Sequence, residues 1–247
     1  MSGRARELWG LAAALALLAA AFALFAQQEA WAAVLARLFP QQTTVMFQRA
    51  SLLELAWQHV RIVGASLGII LVLGVPLGVW LTRRSGRPFL PAASSLLSAG
   101  QAFPPVAVLA LALPFFGFGL RPTVIALVAY GLLPVVSNTI AGLQGVSAEL
   151  KEAARGMGMG PATLFWRVEA PLALRTVLAG VRISAIYTIG TATVAPIIGA
   201  GGLGVPIIGG LAVSNLALVL QGAVPVALLA VLTDLALGRL VALAPRG

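Results

Sequence analysis

A chain of 247 residues in which 60% are hydrophobic and only 9% are charged cannot bury its apolar surface in one water-soluble core, and it reads as an all-α, polytopic membrane protein. No cysteine and a single histidine exclude a disulfide, an iron–sulfur site and a Cys/His zinc site, and neither a metal nor a cofactor is expected. The net charge of +9 comes from basic residues scattered at the ends of apolar runs instead of gathered in a patch, which argues against nucleic acid as a partner.

Six apolar runs of roughly 19 to 25 residues, each long enough for a hydrocarbon core of about 30 Å, lie near 8–26, 62–82, 90–113, 122–143, 176–198 and 215–238. Six helices are therefore predicted. The first run follows Arg4 and Arg6 in the manner of a signal peptide, but its length and the lack of a small-residue cleavage site favour a retained helix. With the N-terminus inside, twelve of the sixteen basic residues fall on or near the inner side and Arg37, Arg49, Arg61 and Arg121 fall outside, as the positive-inside rule requires. Both termini are expected in the cytoplasm.

Residues 27–60 hold QQEAWAAVLARLFPQQ and FQRASLLELAWQHV, mixtures of aromatic rings and isolated charges that suit the headgroup region on the outer side. A solvated linker is the plainer alternative, and His59 reads as an incidental interfacial residue. The chain thus divides into an N-terminal helix with its outer segment, 1–61, and a five-helix core, 62–247. In the first core helix Gly64/Gly68 and Gly74/Gly78 form two GxxxG steps that would admit a neighbouring backbone. Pro104 and Pro105 interrupt the third run and Pro134 sits inside the fourth, either as simple kinks or as parts of a moving gate, because a broken helix at membrane depth must face protein or water.

Val146 to Pro171, VSAELKEAARGMGMGPATLFWRVEAP, carries five charges in its first twenty-two residues and stands between two apolar runs. A water-facing helix is predicted over about 146–160. In the fifth run Ser184, Tyr187, Thr188 and Thr191 fall at helical spacing on one side, facing a partner helix or, with Asn138, an uncharged pathway. Nothing on that stripe is ionisable, and the intramembrane carboxylate candidates reduce to Asp234. This weighs against a self-contained secondary transporter. A membrane enzyme lacks any His/Cys cluster or activated nucleophile. The single lysine, Lys151, precedes Glu152, so the GK[ST] of a phosphate-binding loop cannot occur and the work must come from a partner.

Glu152-Ala153-Ala154, Gly158 three residues on, and Val168-Glu169-Ala170-Pro171 after nine more resemble the EAA-x3-G-x9-I-x-LP signature of permease subunits of ATP-binding-cassette importers, with Val and Ala in place of the usual Ile and Leu. The residue types suit docking: Ala153 and Ala154 keep one helix face low, Glu152 offers a charge, Gly158 permits the closing turn, and Pro171 starts the return toward the membrane. GQAFPPVAVLALALPFFGFG, IGTATVAPIIGAGGLGVPIIGGL and NLALVLQGAVPVALLA are similar to the osmoprotectant permeases. The Yeh-type betaine permeases share the additional N-terminal helix and the LG-x-PII-x-GL run.

The resemblance implies a type I importer core like that of the methionine permease MetI, seated in the cell inner membrane. Glu152, Ala153, Ala154, Gly158 and Pro171 would couple it to separate ATPase subunits. A second permease subunit and a separate substrate-binding protein are implied as further partners, within the lipid bilayer. Gly201, Gly202 and Gly204, in the run Gly199 to Gly204, would lie at the outer mouth as a gate, a docking surface or an ordinary turn. Glycine betaine, choline, carnitine or proline betaine is the implied cargo, although methionine, nitrate and sulfonate importers share much of the same core. An aromatic cage for a quaternary ammonium would draw on Phe103, Phe115, Phe116, Phe118, Tyr130 or Tyr187, which show no convergence along the sequence; the cage is expected on the binding protein.

Overall fold

The computed structural model describes residues 3–245, and every regular element in them is helical. Five helical segments are long and apolar enough to cross a membrane: α1 (Gly3–Ala26), α3 (Leu52–Thr82), α6 (Leu120–Gln144), the continuous run 161–198, and α11 (Leu216–Leu243). Between α3 and α6 lie a short 3₁₀ turn (Arg87–Phe89), α4 (Leu90–Ala102) and α5 (Pro105–Phe116). The two parts of this run are bent by 103° at the Pro104–Pro105 break. Arg87 sits beside Arg83 at the end of α3, whereas the Gly119 amide beyond α5 donates to Ile198, close to the glycine run that meets the start of α3. The bent pair thus runs from one end of the bundle to the other and makes a sixth, broken crossing. Prolines at the break cannot complete the helical ladder, which is why the run divides there.

The second crossing starts ten residues earlier than the apolar pattern suggests. Ser51 caps α3 by accepting from the Glu54 amide at 3.1 Å, and Leu52, Leu55, Ala56, His59, Ile62 and Val63 then bury one continuous face. Residues 52–60 are therefore the first turns of α3 and not a separate segment, and His59, 1% exposed, is a core residue. Hydropathy missed this because Glu54 and Arg61 lie on the exposed face and, with Gln58 at its border, lower the average. The preceding QQEAWAAVLARL forms α2 (Gln28–Leu38). The loop after it is pinned by buried polar side chains: Asn215 Nδ2 donates to the Thr44 carbonyl at 2.7 Å and Gln221 Oε1 accepts from the Phe47 amide at 2.8 Å.

Two ends of the bundle differ in chemistry. Around Phe25, Leu52, Leu127, Leu203 and Leu229, side chains from α1, α3, α6, α11 and the segment before α10 (Gly204–Ala212) form the largest apolar cluster. Small residues bring the central helices together: Gly131 of α6 lies under Ser184 and Thr188 of α9 (Ala170–Thr191), and Gly180 of α9 lies against Pro134 and Asn138 of α6. In lipid, where apolar surface gains nothing by leaving the solvent, such close approach is the main source of cohesion. Of the two GxxxG steps, Gly74 and Gly78 receive α6 as expected, but Gly64 and Gly68 face open space. The terminal helices are joined by Glu7 and Arg239 at 3.0 Å.

A water-facing helix and the charged seat beneath it

Ser147 accepts from the Leu150 amide at 3.2 Å and starts α7 (Ala148–Gly156). Met157 and Gly158 close it, with Gly158 at φ +81°, a conformation in which a Cβ would crowd the backbone. Successive residues on a helix point about 100° apart, and this separates the two motif alanines. Ala154 is buried against its own chain while Glu152 and Ala153 are exposed, so the expectation of one shared alanine face is corrected: Ala154 seats the helix and Glu152 with Ala153 presents it. Leu150, Met157 and Trp166 stand exposed nearby, Trp166 at 71%.

The return to the bundle begins at Pro161, where α8 (Pro161–Leu164) leads through a π-helical turn, Phe165–Glu169, into α9. Pro171 therefore lies inside a helical run already under way. Lacking an N–H, it cannot bond back to Arg167, and the wider turn just before it absorbs that defect. The π turn also directs Glu169 inward, 6% exposed. Its carboxylate accepts from Arg83 Nη1 at 2.6 Å and stands 3.9 Å from Lys151 Nζ. Arg83 also lies over the Phe165 ring, 4.9 Å from its centroid, and Lys151 donates to the Leu143 carbonyl at 3.0 Å. One carboxylate thus joins the end of α3, the water-facing helix and the start of α9. Nothing along the sequence pairs Arg83 or Lys151 with Glu169, which occupies a variable position of the motif, so no local signal joined them.

The polar stripe of α9 divides likewise. Ser184 and Thr188 are buried, with Ser184 donating to the Gly131 carbonyl at 2.7 Å and Thr188 to the Ser184 carbonyl at 2.7 Å. Asn138 Nδ2 donates to the Pro134 carbonyl at 2.9 Å. Thr191 is half-buried and Tyr187 is half-exposed. Ser184, Thr188 and Asn138 therefore lie in helix–helix contacts, while Tyr187 alone of the stripe points outward. Tyr130 of α6 joins it with ring centroids 6.3 Å apart, a convergence not visible along the sequence. Asp234 of α11 takes two 2.6 Å hydrogen bonds from Arg182 of α9.

At the opposite end, Gly201 and Gly202 take positive φ angles of 81° and 86°. The Gly202 amide donates to Gln58 Oε1 at 3.1 Å, and His59 Nε2 donates to the Ile189 carbonyl at 3.1 Å. Gly204 packs directly on the Thr193 carbonyl. The glycine run is held against the start of α3 by specific contacts, not free in a loop. Pro104 and Pro105 are brought near it only indirectly: Leu109 of α5 packs on Ile198, which leads into the run.

Six crossings with a helical loop standing clear at one end define a polytopic membrane protein. The sequence pattern of the family described as "binding-protein-dependent transport system inner membrane component" matches residues 74–243, and the chain belongs to that family. It is 42% identical to the carnitine transport permease protein OpuCB of Listeria monocytogenes, over 77% of this chain and 86% of that protein. It is 38% identical to the osmoprotectant import permease protein OsmW of Salmonella typhimurium, over 79% and 93% respectively. In structure it is similar to a chain of the MetNI methionine ABC transporter, solved in inward-facing conformations, with TM-score 0.68, 23% identity, and coverage of 76% of this chain and 94% of that one. The fold is thus all-helical and MetI-like.

Proposed function

We propose that this chain is the membrane-spanning permease subunit of an importer that carries a small osmoprotectant, glycine betaine, choline, carnitine or proline betaine, and is driven by a separate ATP-hydrolysing subunit. The relatives' names supply the solute class. Residues 52–247, from the start of α3, act as the core and residues 1–51 as an accessory element. The end carrying α7 faces the cytoplasm, which puts both termini inside and the glycine run outside.

The observation that carries the coupling role is α7 itself: Glu152 and Ala153 face outward from a helix whose buried Ala154 and charged neighbour Lys151 tie it to the bundle. A partner gripping Glu152, with Leu150, Met157 and Trp166 as apolar contacts, would displace α7. Through Glu169 it would pull on α3 and α9 together. Closure of two ATPase subunits would then turn the pathway outward, and hydrolysis would return it. A separate binding protein delivers the solute, and a second permease subunit, the same chain or a relative, completes the pathway. The exposed Tyr187, with the half-buried Tyr130 beside it, offers a weak, transient contact for a quaternary ammonium along it.

The test is reconstitution in proteoliposomes with the ATPase and binding protein, using radiolabelled glycine betaine, choline, carnitine and methionine. Uptake of an osmoprotectant that requires ATP and both partners is expected. Uptake by the permease alone would establish a secondary transporter instead, and selective uptake of methionine would assign another solute.

A further inference from the structure

The seat beneath α7 opens into a polar cavity of about 280 Å³ lined by Arg83, Arg87, Lys151, Glu169, Gln144 and Thr82. Three cations and one carboxylate give its walls a net charge of +2. Glu169 is already neutralised by Arg83 at 2.6 Å, yet Arg83 Nη2 is buried without a hydrogen-bond partner among the described residues, and Lys151 spends one donor on Leu143. Buried N–H groups of this kind require an acceptor. Arg83 and Arg87 come from the turn after α3 and Lys151 from α7, so their convergence is a product of the fold and not of local sequence alone.

Beside this cavity, with Leu81 lining both, lies an apolar groove of about 540 Å³ between α3, α4 and α6, walled by Leu77, Trp80, Phe89, Leu97 and Leu133. Trp80 and Phe89, both in the wall of the groove, stack at 5.5 Å. We propose that an anionic phospholipid occupies both, its headgroup phosphate among Arg83, Arg87 and Lys151 and an acyl chain in the groove. Charge complementarity selects the phosphate, which accepts several charge-assisted bonds; the contiguous apolar wall selects a lipid over the free ion. Basic pockets between membrane helices favour such headgroups. The bound phosphate would brace α7 on α3 and the α3–α4 turn, so that lipid occupancy stiffens the link between them. This site does not depend on which solute is carried.

The experiment is native mass spectrometry of the purified full chain, titrated with phosphatidylglycerol, phosphatidylcholine or inorganic phosphate. Phosphatidylglycerol is expected to be retained preferentially. Arg87→Gln, at an exposed position, is expected to weaken it by about fivefold, and Arg87→Gln with Lys151→Gln by more than tenfold, following about 1 kcal/mol per basic residue near a lipid headgroup. Arg84→Gln, a neighbouring exposed arginine outside the cavity, should bind as wild type. Leu96→Trp, which fills the groove, should lower lipid retention. Equal retention of phosphatidylcholine, displacement of the lipid by millimolar phosphate, or a Leu96→Trp variant that keeps its lipid but loses its self-association would each overturn the proposal, the last by assigning the groove to a second copy of the chain.

Discussion

Glu169, at the last residue of the π turn before α9, accepts a 2.6 Å hydrogen bond from Arg83 at the end of α3, so a single carboxylate links two crossings to the helix that stands in water. Glu169→Gln removes the charge and leaves Arg83 and Lys151 facing a neutral amide. Because Arg83 is about a third exposed, water offsets part of the loss, and a destabilisation of about 1–2 kcal/mol is expected. Solute uptake should fall much further than membrane abundance does. Replacing both partners, Arg83→Met with Glu169→Met, should restore thermal stability but not uptake. A double variant with wild-type transport would remove the mechanical role given to this pair.

Glu152→Lys and Gly158→Asp change the exposed face and the closing turn of α7, outside the crossings. Both are expected to leave insertion intact and to abolish ATP-dependent uptake. Gly158→Asp forces a side chain into the positive-φ region, at a cost of about 1 kcal/mol, confined to the loop. Co-purification of the ATPase subunit reads the outcome directly: retention at wild-type levels by either variant, with normal uptake at matched expression, would show that α7 is not the docking element.

Gly131 meets Ile70, Ser184 and Thr188, which leaves no room for a side chain. Gly131→Val is expected to destabilise the bundle by about 1–3 kcal/mol, as overpacking does, and to lower the melting temperature in detergent. Ser184→Ala removes only a hydroxyl whose acceptor is shared, a loss of about 1 kcal/mol, and should leave the KM for uptake unchanged. A shifted KM in Ser184→Ala would return Ser184 to the solute pathway.

Gln58 holds the Gly202 amide, and Gln58→Leu leaves that amide without its partner. Hydrogen exchange across residues 199–204 is expected to accelerate about tenfold or more, given about 1.5 kcal/mol for the bond, while exchange in α6 and α9 is unchanged. Slow exchange throughout the glycine run in this variant would place its restraint elsewhere.

The six crossings, the water-facing helix and the positive-φ glycine that ends it could all be read along the chain, because each depends on composition or spacing within one segment. Hydropathy, positive charge at helix ends and the EAA spacing are local quantities, and they sufficed for the class of protein. The start of α3 escaped that reading, since a helix with one buried face and one polar face averages out in a window. Partners in space escaped it too. Whether Ser184 faces a pathway or Gly131, whether Ala154 points to another protein or inward, and that Arg83, Lys151 and Glu169 meet, all follow from how helices far apart in sequence are rotated against one another. That rotation is set by close packing of small residues summed over the whole bundle, a non-local balance to which no single stretch of residues corresponds.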